Sequence, residues 1–250
     1  MSGWPALDAE LNAWADAGTC AEFWWRDDDA AEDGPALGRL LDLAGEAPLA
    51  IATIPARVSD TAAARIAAQA GPEGRVVQHG YAHANHARAG EKKIELGGSN
   101  ALTDCESQLR EGFTILAKQF GEIFLPVLVP PWNRIDDKLL PHLPRLGVRA
   151  ISTYGAHRAK GLRQINCHVD ILDWRNGAAF LGTDAALALA CRHLAAKRLG
   201  AADRGEPTGV LSHHMRHGED AWRFLAEFFR HTAAHPAARW RAPADLFGGA

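Results

Sequence analysis

The feature that most constrains this chain is an alternation. Short runs rich in β-branched and aromatic residues are separated by Ala- and Leu-rich stretches with helical patterning, along all 250 residues. The runs predict strands at 22–26 (EFWWR), 48–55 (PLAIATIP), 75–80 (RVVQHG), 124–131 (FLPVLVPP), 148–153 (VRAIST), 166–172 (NCHVDIL) and 209–214 (GVLSHH). Helices are expected at 8–18, 36–45, 61–71, 101–121, 137–147, 183–200 and 219–235. Strands that alternate with helices pair in parallel, because a parallel crossover needs the length of a helix. The fold class is therefore α/β, and both an open doubly wound sheet and a closed barrel satisfy the pattern.

Three helices carry end signals. Residues 61–71 open on Thr61 and stop at Gly71; 183–200 open on Thr183-Asp184 and end in Lys197, Arg198 and Gly200. Thr103 with Glu106 three residues on reads as a capping box.

Composition narrows the function. The chain is 47% apolar and 23% charged, ordinary for a globular protein, and its length suits one domain spanning 1–250. Lys and Arg number 27 against 30 Asp and Glu, so no basic excess exists to hold a phosphate backbone, and nucleic acid is not expected as a partner. Cys20, Cys105, Cys167 and Cys191 are scattered, which fits a reducing compartment. With no secretory signal pattern and no 18-residue apolar run, no membrane contact is expected and the expected compartment is the cytoplasm. No G-x-G-x-x-G or P-loop follows the first strand. Oligomeric state is not legible.

The polar residues fall in a pattern. Strand one ends in Asp27-Asp28-Asp29, strand three in His79 with His83 and His86 behind it, and strand four in Pro130-Pro131-Trp132-Asn133-Arg134. Strand six runs into Asp170, Asp173 and Trp174, and strand seven ends in His213-His214. In parallel barrels the C-terminal strand ends converge on one face, which holds the site. Three adjacent carboxylates repel one another and a cation relieves that cost, although an acidic turn would also show DDD. His79 and His83, four apart, share a side of any helical turn, and two imidazoles with one carboxylate make a familiar catalytic zinc shell. Position 80 is Gly, so the glutamate of an H-E-x-x-H metalloprotease is missing. Trp24 and Trp25 read as core; Trp132 and Trp174 read as stacking faces for a sugar or as core. His86, His142, His157, His193, His217, His231 and His235 read as surface or structural, and Lys92, Lys93 and Glu95 as a solvated loop, with a substrate-groove wall as the other reading.

The ordered set DDD, HGYAH, VPPWN, DILDW and VLSH resembles the five motifs of the polysaccharide deacetylases, carbohydrate esterase family 4, across residues 27–213. The resemblance implies a distorted, TIM-like (β/α)7 barrel that removes acetyl groups from sugars with a divalent metal, zinc or another such as Co2+ or Mn2+. It implies Asp27 as general base, with Asp28, His79 and His83 as metal ligands; a register one residue on gives those carboxylate roles to Asp28 and Asp29. It places Trp132 at the oxyanion, His213 as general acid, and Asp170 or Asp173 behind that histidine. Tyr81, Arg134, Trp132 and Trp174 are expected to touch an acetylated sugar or oligosaccharide. Val129 stands where the family has an arginine that orients the base, with Arg134 or Arg26 as replacements. Two other functions stay open: a catalytically impaired carbohydrate- or metal-binding protein of this fold, and an amidase acting on another C–N bond.

Overall fold

A computed structural model describes residues 2–156 and 161–248. His157 lies outside the described residues. In chain order the elements are α1 (Trp4–Asp16), β1 (Ala21–Ala30), α2 (Pro35–Leu43), β2 (Leu49–Thr53), α3 (Asp60–Gln69), β3 (Arg75–His79), α4 (Leu102–Phe120), β4 (Phe124–Val129), β5 (Ala150–Ile151), β6 (Arg163–Gln164), β7 (Val169–Asp170), β8 (Leu172–Asp173), β9 (Ala179–Phe180), α5 (Thr183–Arg198), β10 (Thr208–Ser212), α6 (Glu219–Ala234), β11 (Ala238–Trp240) and α7 (Pro243–Phe247). The main sheet runs β6-β5-β4-β3-β2-β1-β10-β7, with β11 also beside β1. Its pairings are parallel, and β8 and β9 form a separate antiparallel pair. The sheet curls into a partial barrel with helices outside, the distorted (β/α)7 type.

Strand alternation sorts β1 into two faces. Trp24 packs in the barrel interior with Ala50, Ala52, Val77, Val127, Val129 and Leu211. Phe23 and Trp25 face the helices, among Leu37, Leu225, Phe228 and Phe229. Burying each such side chain stabilises the fold by roughly 1.5–3 kcal/mol. A Cβ on Gly209 would sit 2.4 Å from Trp24 Nε1, so glycine there lets the indole donate to the Asn166 carbonyl at 2.9 Å. Asn166 also joins the two ends of the sheet. Its Oδ1 accepts from the Thr153 N–H and from Gln164 Nε2, while its own N–H donates to Glu206.

Five of the seven expected strands form as runs, while 148–153 is reduced to Ala150–Ile151 and 166–172 is broken into β7 and β8, which lie in different sheets. The expected helix at 137–147 is instead a 3-10 segment over Leu140–Leu146, because Pro141 and Pro144 remove amide donors. The expected caps also move. Ser59, not Thr61, accepts from the Ala62 N–H. Thr103 lies inside α4, which starts from Ala101 without a side-chain cap, and Glu106 pairs with His142 and Arg145. Thr183 and Asp184 sit in the first turn of α5, after Gly182. No helix among the described residues is long and apolar enough to cross a membrane.

Candidate metal centre and active site

The DDD run lies inside β1 rather than beyond it. Pairing with β2 is regular to Asp27↔Ile51, shifts, and resumes at Ala30↔Thr53. Asp29 takes a left-handed backbone at φ 71. A bulge of this kind re-aims a side chain at a strand end. The three carboxylates consequently go to three different places.

Asp27 follows Phe23 and Trp25 onto the helix side. It is fully buried, and its Oδ2 accepts from Ser212 Oγ at 2.6 Å and the His214 N–H at 3.0 Å. Its Oδ1 meets His214 Nδ1 at 2.5 Å. Burial pushes this carboxyl up, but the His214 charge and hydrogen bond outweigh that and hold it below the usual range. Asp28 follows Trp24 and Arg26 into the barrel interior. Asp29 turns to β3, where its Oδ1 lies 3.0 Å from His79 Nε2 and 3.2 Å from His83 Nε2. The carboxylate grouped with the two histidines is therefore Asp29, not Asp28. This matches the register one residue beyond the Asp27/Asp28 expectation.

These three side chains suit a cation on chemical grounds. His79 Nδ1 lies 3.0 Å from the Val129 carbonyl, an acceptor, so Nδ1 carries a proton. A neutral His79 then points an unprotonated Nε2 at a carboxylate oxygen, lone pair against lone pair. His83 is directed at the same oxygen. Either a shared proton or a shared divalent ion resolves that clash, and one carboxylate with two imidazoles leaving an open side is a catalytic zinc-type donor set. Burial alone lowers the His79 pKa, yet a hydrogen bond to Asp29 and the charges of Asp28 and Asp29 raise it. Burial raises the Asp29 carboxyl, but hydrogen bonds with His79 and His83 take it far below its usual range.

The turn that carries His83 is built on a residue the sequence reading assigned to a solvated loop. Glu95 is 1% exposed. Its Oε2 accepts from the Tyr81 N–H at 3.0 Å, and its Oε1 accepts from Ala82 and Ala84 at 2.8 and 3.1 Å. A Cβ on Gly80, at φ 54, would lie 1.9 Å from Glu95 Oε2, so glycine is needed to close the turn over the carboxylate. An unsatisfied buried N–H costs about 1–3 kcal/mol. Glu95→Ala is expected to lower stability by about 3 kcal/mol in urea unfolding; a loss under about 0.5 kcal/mol would mean that water replaces the carboxylate.

Asp28 is held by Arg26, two residues earlier on the same face of β1. Nε and Nη2 of Arg26 grip the two Asp28 oxygens at 2.8 and 2.9 Å. The guanidinium also donates to Ser152 Oγ at 2.7 Å and Asn133 Oδ1 at 2.9 Å, and is fully buried. Burial lowers its pKa, and the Asp28 charge more than restores it. Val129, at the end of β4, packs in the apolar interior, and the buried guanidinium comes instead from Arg26 on β1. The spacing Arg26-x-Asp28 was the available signal, since alternation puts i and i+2 on one face. Arg134 instead gives Nη1 to the Lys93 carbonyl at 3.0 Å.

Across the barrel mouth, His213 is 7% exposed and packs edge-on against Trp174 at 4.8 Å. Its Nδ1 has no hydrogen-bond partner among the described residues. Asp170 Oδ2 accepts from Trp174 Nε1 at 2.7 Å, and its Oδ1 accepts from the Leu172 N–H. Burial raises the Asp170 carboxyl, opposed by the His213 charge. Asp173 caps the next turn through the Arg175 N–H at 3.0 Å. Trp132, with φ 54, packs its ring at a tilt of 57° against His83, centroids 4.4 Å apart. The Tyr81 hydroxyl is directed to Glu111 on the outer helix α4, not to this group.

His217 Nε2 accepts from the His213 N–H at 3.3 Å, with its ring edge-on to Trp222. Burial pulls its pKa down to about 4. Below pH 6.5 the unfolded chain gains a proton here that the folded chain refuses, so this stability is present above pH 6.5 and lost as pH falls toward 4. The stability advantage of the chain over its His217→Gln variant should shrink by on the order of 2 kcal/mol between pH 7.5 and pH 5 in urea titrations. A constant difference would contradict the buried neutral imidazole.

No family model and no curated protein matches the chain. Solved structures do match. A Mycobacterium smegmatis protein assigned as a polysaccharide deacetylase is 17% identical with a TM-score of 0.65, over 91% of this chain and 88% of that one. A family 4 acetyl xylan esterase from Clostridium thermocellum, in complex with a cobalt ion, is 14% identical with a TM-score of 0.56, over 91% and 90%. A family 4 carbohydrate esterase from Streptomyces lividans, in complex with acetate, is 16% identical with a TM-score of 0.57, over 89% and 93%. At these identities the likeness establishes a shared fold.

Proposed function

We propose that this chain, folded as the family 4 carbohydrate esterases are, is a divergent single-domain member of that family that hydrolyses an acetyl group from a sugar. The observation that carries the reading is one carboxylate oxygen of Asp29, at the C-terminal end of β1, facing both His79, at the C-terminal end of β3, and His83 just beyond it. Those three side chains would hold a divalent ion, Zn2+ or another such as Co2+ or Mn2+. When bound, that ion supplies Lewis acidity and a water of lowered pKa. Asp28, fixed by Arg26, accepts the water's proton on its carboxylate; Arg26 takes two of the lone-pair directions and leaves others. The Trp132 backbone N–H donates to the acetyl oxygen as it gains charge. His213 returns a proton to the leaving group, with the Asp170 carboxylate stabilising its charged form. Trp132 and Trp174, the latter 51% exposed, offer ring faces to the sugar.

Acetate release from a panel of N- and O-acetylated sugars, before and after chelation, tests this reading. Metal-dependent release is expected. Metal binding without release from any of them would favour the impaired binding protein, and release only from other amides would favour the amidase.

A further inference from the structure

Resting on the deacetylase reading, we propose that the substrate carries an anionic group, a phosphate or a carboxylate, close to its acetylated sugar, and that Lys93 and Arg134 receive it. The segment that bears Lys93 is not a loose loop. Glu95 is buried beneath three N–H donors, and Asn85 Oδ1 accepts from the Ala87 and Ile94 N–H groups at 3.1 Å each. Leu96 bridges to Ile135, and the Asp136 N–H donates to the Leu96 carbonyl at 2.9 Å. Lys93 is thereby placed with its Nζ 5.7 Å from the centre of the Trp132 ring, which itself packs at a tilt against His83 at 4.4 Å. Arg134 is tied to the same point by its hydrogen bond to the Lys93 carbonyl.

Among the described residues neither Lys93 nor Arg134 has an ion pair to a carboxylate. Two cationic side chains are thus borne on one wall, the ammonium of Lys93 one ring away from a group suited to a divalent cation. An anion arriving on that wall meets positive charge with no carboxylate paired to it. A guanidinium and an ammonium are the side chains that bind phosphate and carboxylate oxygens through charge-assisted hydrogen bonds. Trp174 and Tyr154, exposed at 51% and 41%, lie on the strand ends toward β7 and carry no charge. The asymmetry sets an orientation: sugar face toward the aromatic side, anion toward Lys93.

The test uses the full chain loaded with zinc. Deacetylation of N-acetylglucosamine is compared with that of its 1-phosphate, its 6-phosphate and N-acetylmuramic acid, which separates phosphate from carboxylate. At least one anionic sugar is expected to exceed the neutral one by about tenfold or more in kcat/KM, with a preference that weakens as ionic strength rises. Lys93→Glu, and separately Arg134→Glu, should reduce that ratio toward one. Equal kcat/KM for neutral and anionic sugars, or a preference untouched by both variants, overturns the proposal. If no sugar is hydrolysed the deacetylase reading fails, and the anion subsite is then decided on the metal-free chain by 31P titration with inorganic phosphate. Saturable binding that is lost in Lys93→Glu supports the subsite, and no saturable binding by the chain overturns it.

Discussion

Asp28→Asn is expected to lower turnover by roughly 10²–10⁴-fold, the usual contribution of a general base, while the chain still binds metal; its urea midpoint should also fall, because the fully buried Arg26 keeps its charge without a carboxylate partner. The carboxamide keeps the shape of the side chain, but it offers Arg26 one acceptor oxygen in place of two and takes no proton from water. Metal affinity is expected to persist because the carboxylate beside His79 and His83 belongs to Asp29. The two flanking positions should fail differently. Asp29→Asn should lose metal affinity and turnover together. Asp27→Asn should lose stability, since Asp27 is fully buried between Ser212 and His214 on the helix side of β1, and folded protein should keep its turnover. Steady-state rates, metal titrations and urea midpoints on the three variants separate the roles. Near-native turnover in Asp28→Asn would remove it as the base.

The second large effect is at Arg26. Arg26→Met should destabilise the chain by about 3–5 kcal/mol, because it leaves the Asp28 carboxylate inside the barrel, 2% exposed, without its partner. Asp28→Asn in the same chain should recover much of that loss, since the uncompensated charge is gone. A double-mutant cycle in urea measures the coupling. Arg26→Lys should not substitute, because one ammonium cannot span both Asp28 oxygens, Ser152 and Asn133. Additive single-variant losses would show that the pair is not coupled, and would leave the base without a fixed orientation.

Much of this was legible in the sequence, for identifiable reasons. The strands β1 to β4 and β10 were readable because their apolar runs are bounded by Pro, Gly and charged residues, and a buried parallel strand needs such a run. The two-residue strands β6 and β9 and the three-residue β11 leave no such trace. HGYAH was readable because its spacing survives any tight turn after β3. The register of DDD was not. Regular alternation puts Asp27 and Asp29 on the same side, and only the bulge and the positive φ of Asp29 part them. Glu95 was hidden by its setting between two lysines and a glycine pair, where composition says solvent. Its burial follows from the three orphan N–H groups of the 80–84 turn, which require an acceptor. Arg26 was visible as a charge inside an aromatic strand, a position where an arginine needs a buried partner.

The central claim is that Asp29, His79 and His83 close on one divalent ion. Anomalous diffraction from crystals of the zinc-loaded chain, collected on both sides of the zinc edge, tests it most directly. The account expects a single strong peak bonded to Asp29, His79 Nε2 and His83 Nε2, at about 2.0–2.2 Å from each, with Asp28 still on Arg26. A peak bonded to Asp28 in place of Asp29, or zinc bound only away from the two histidines, would contradict it.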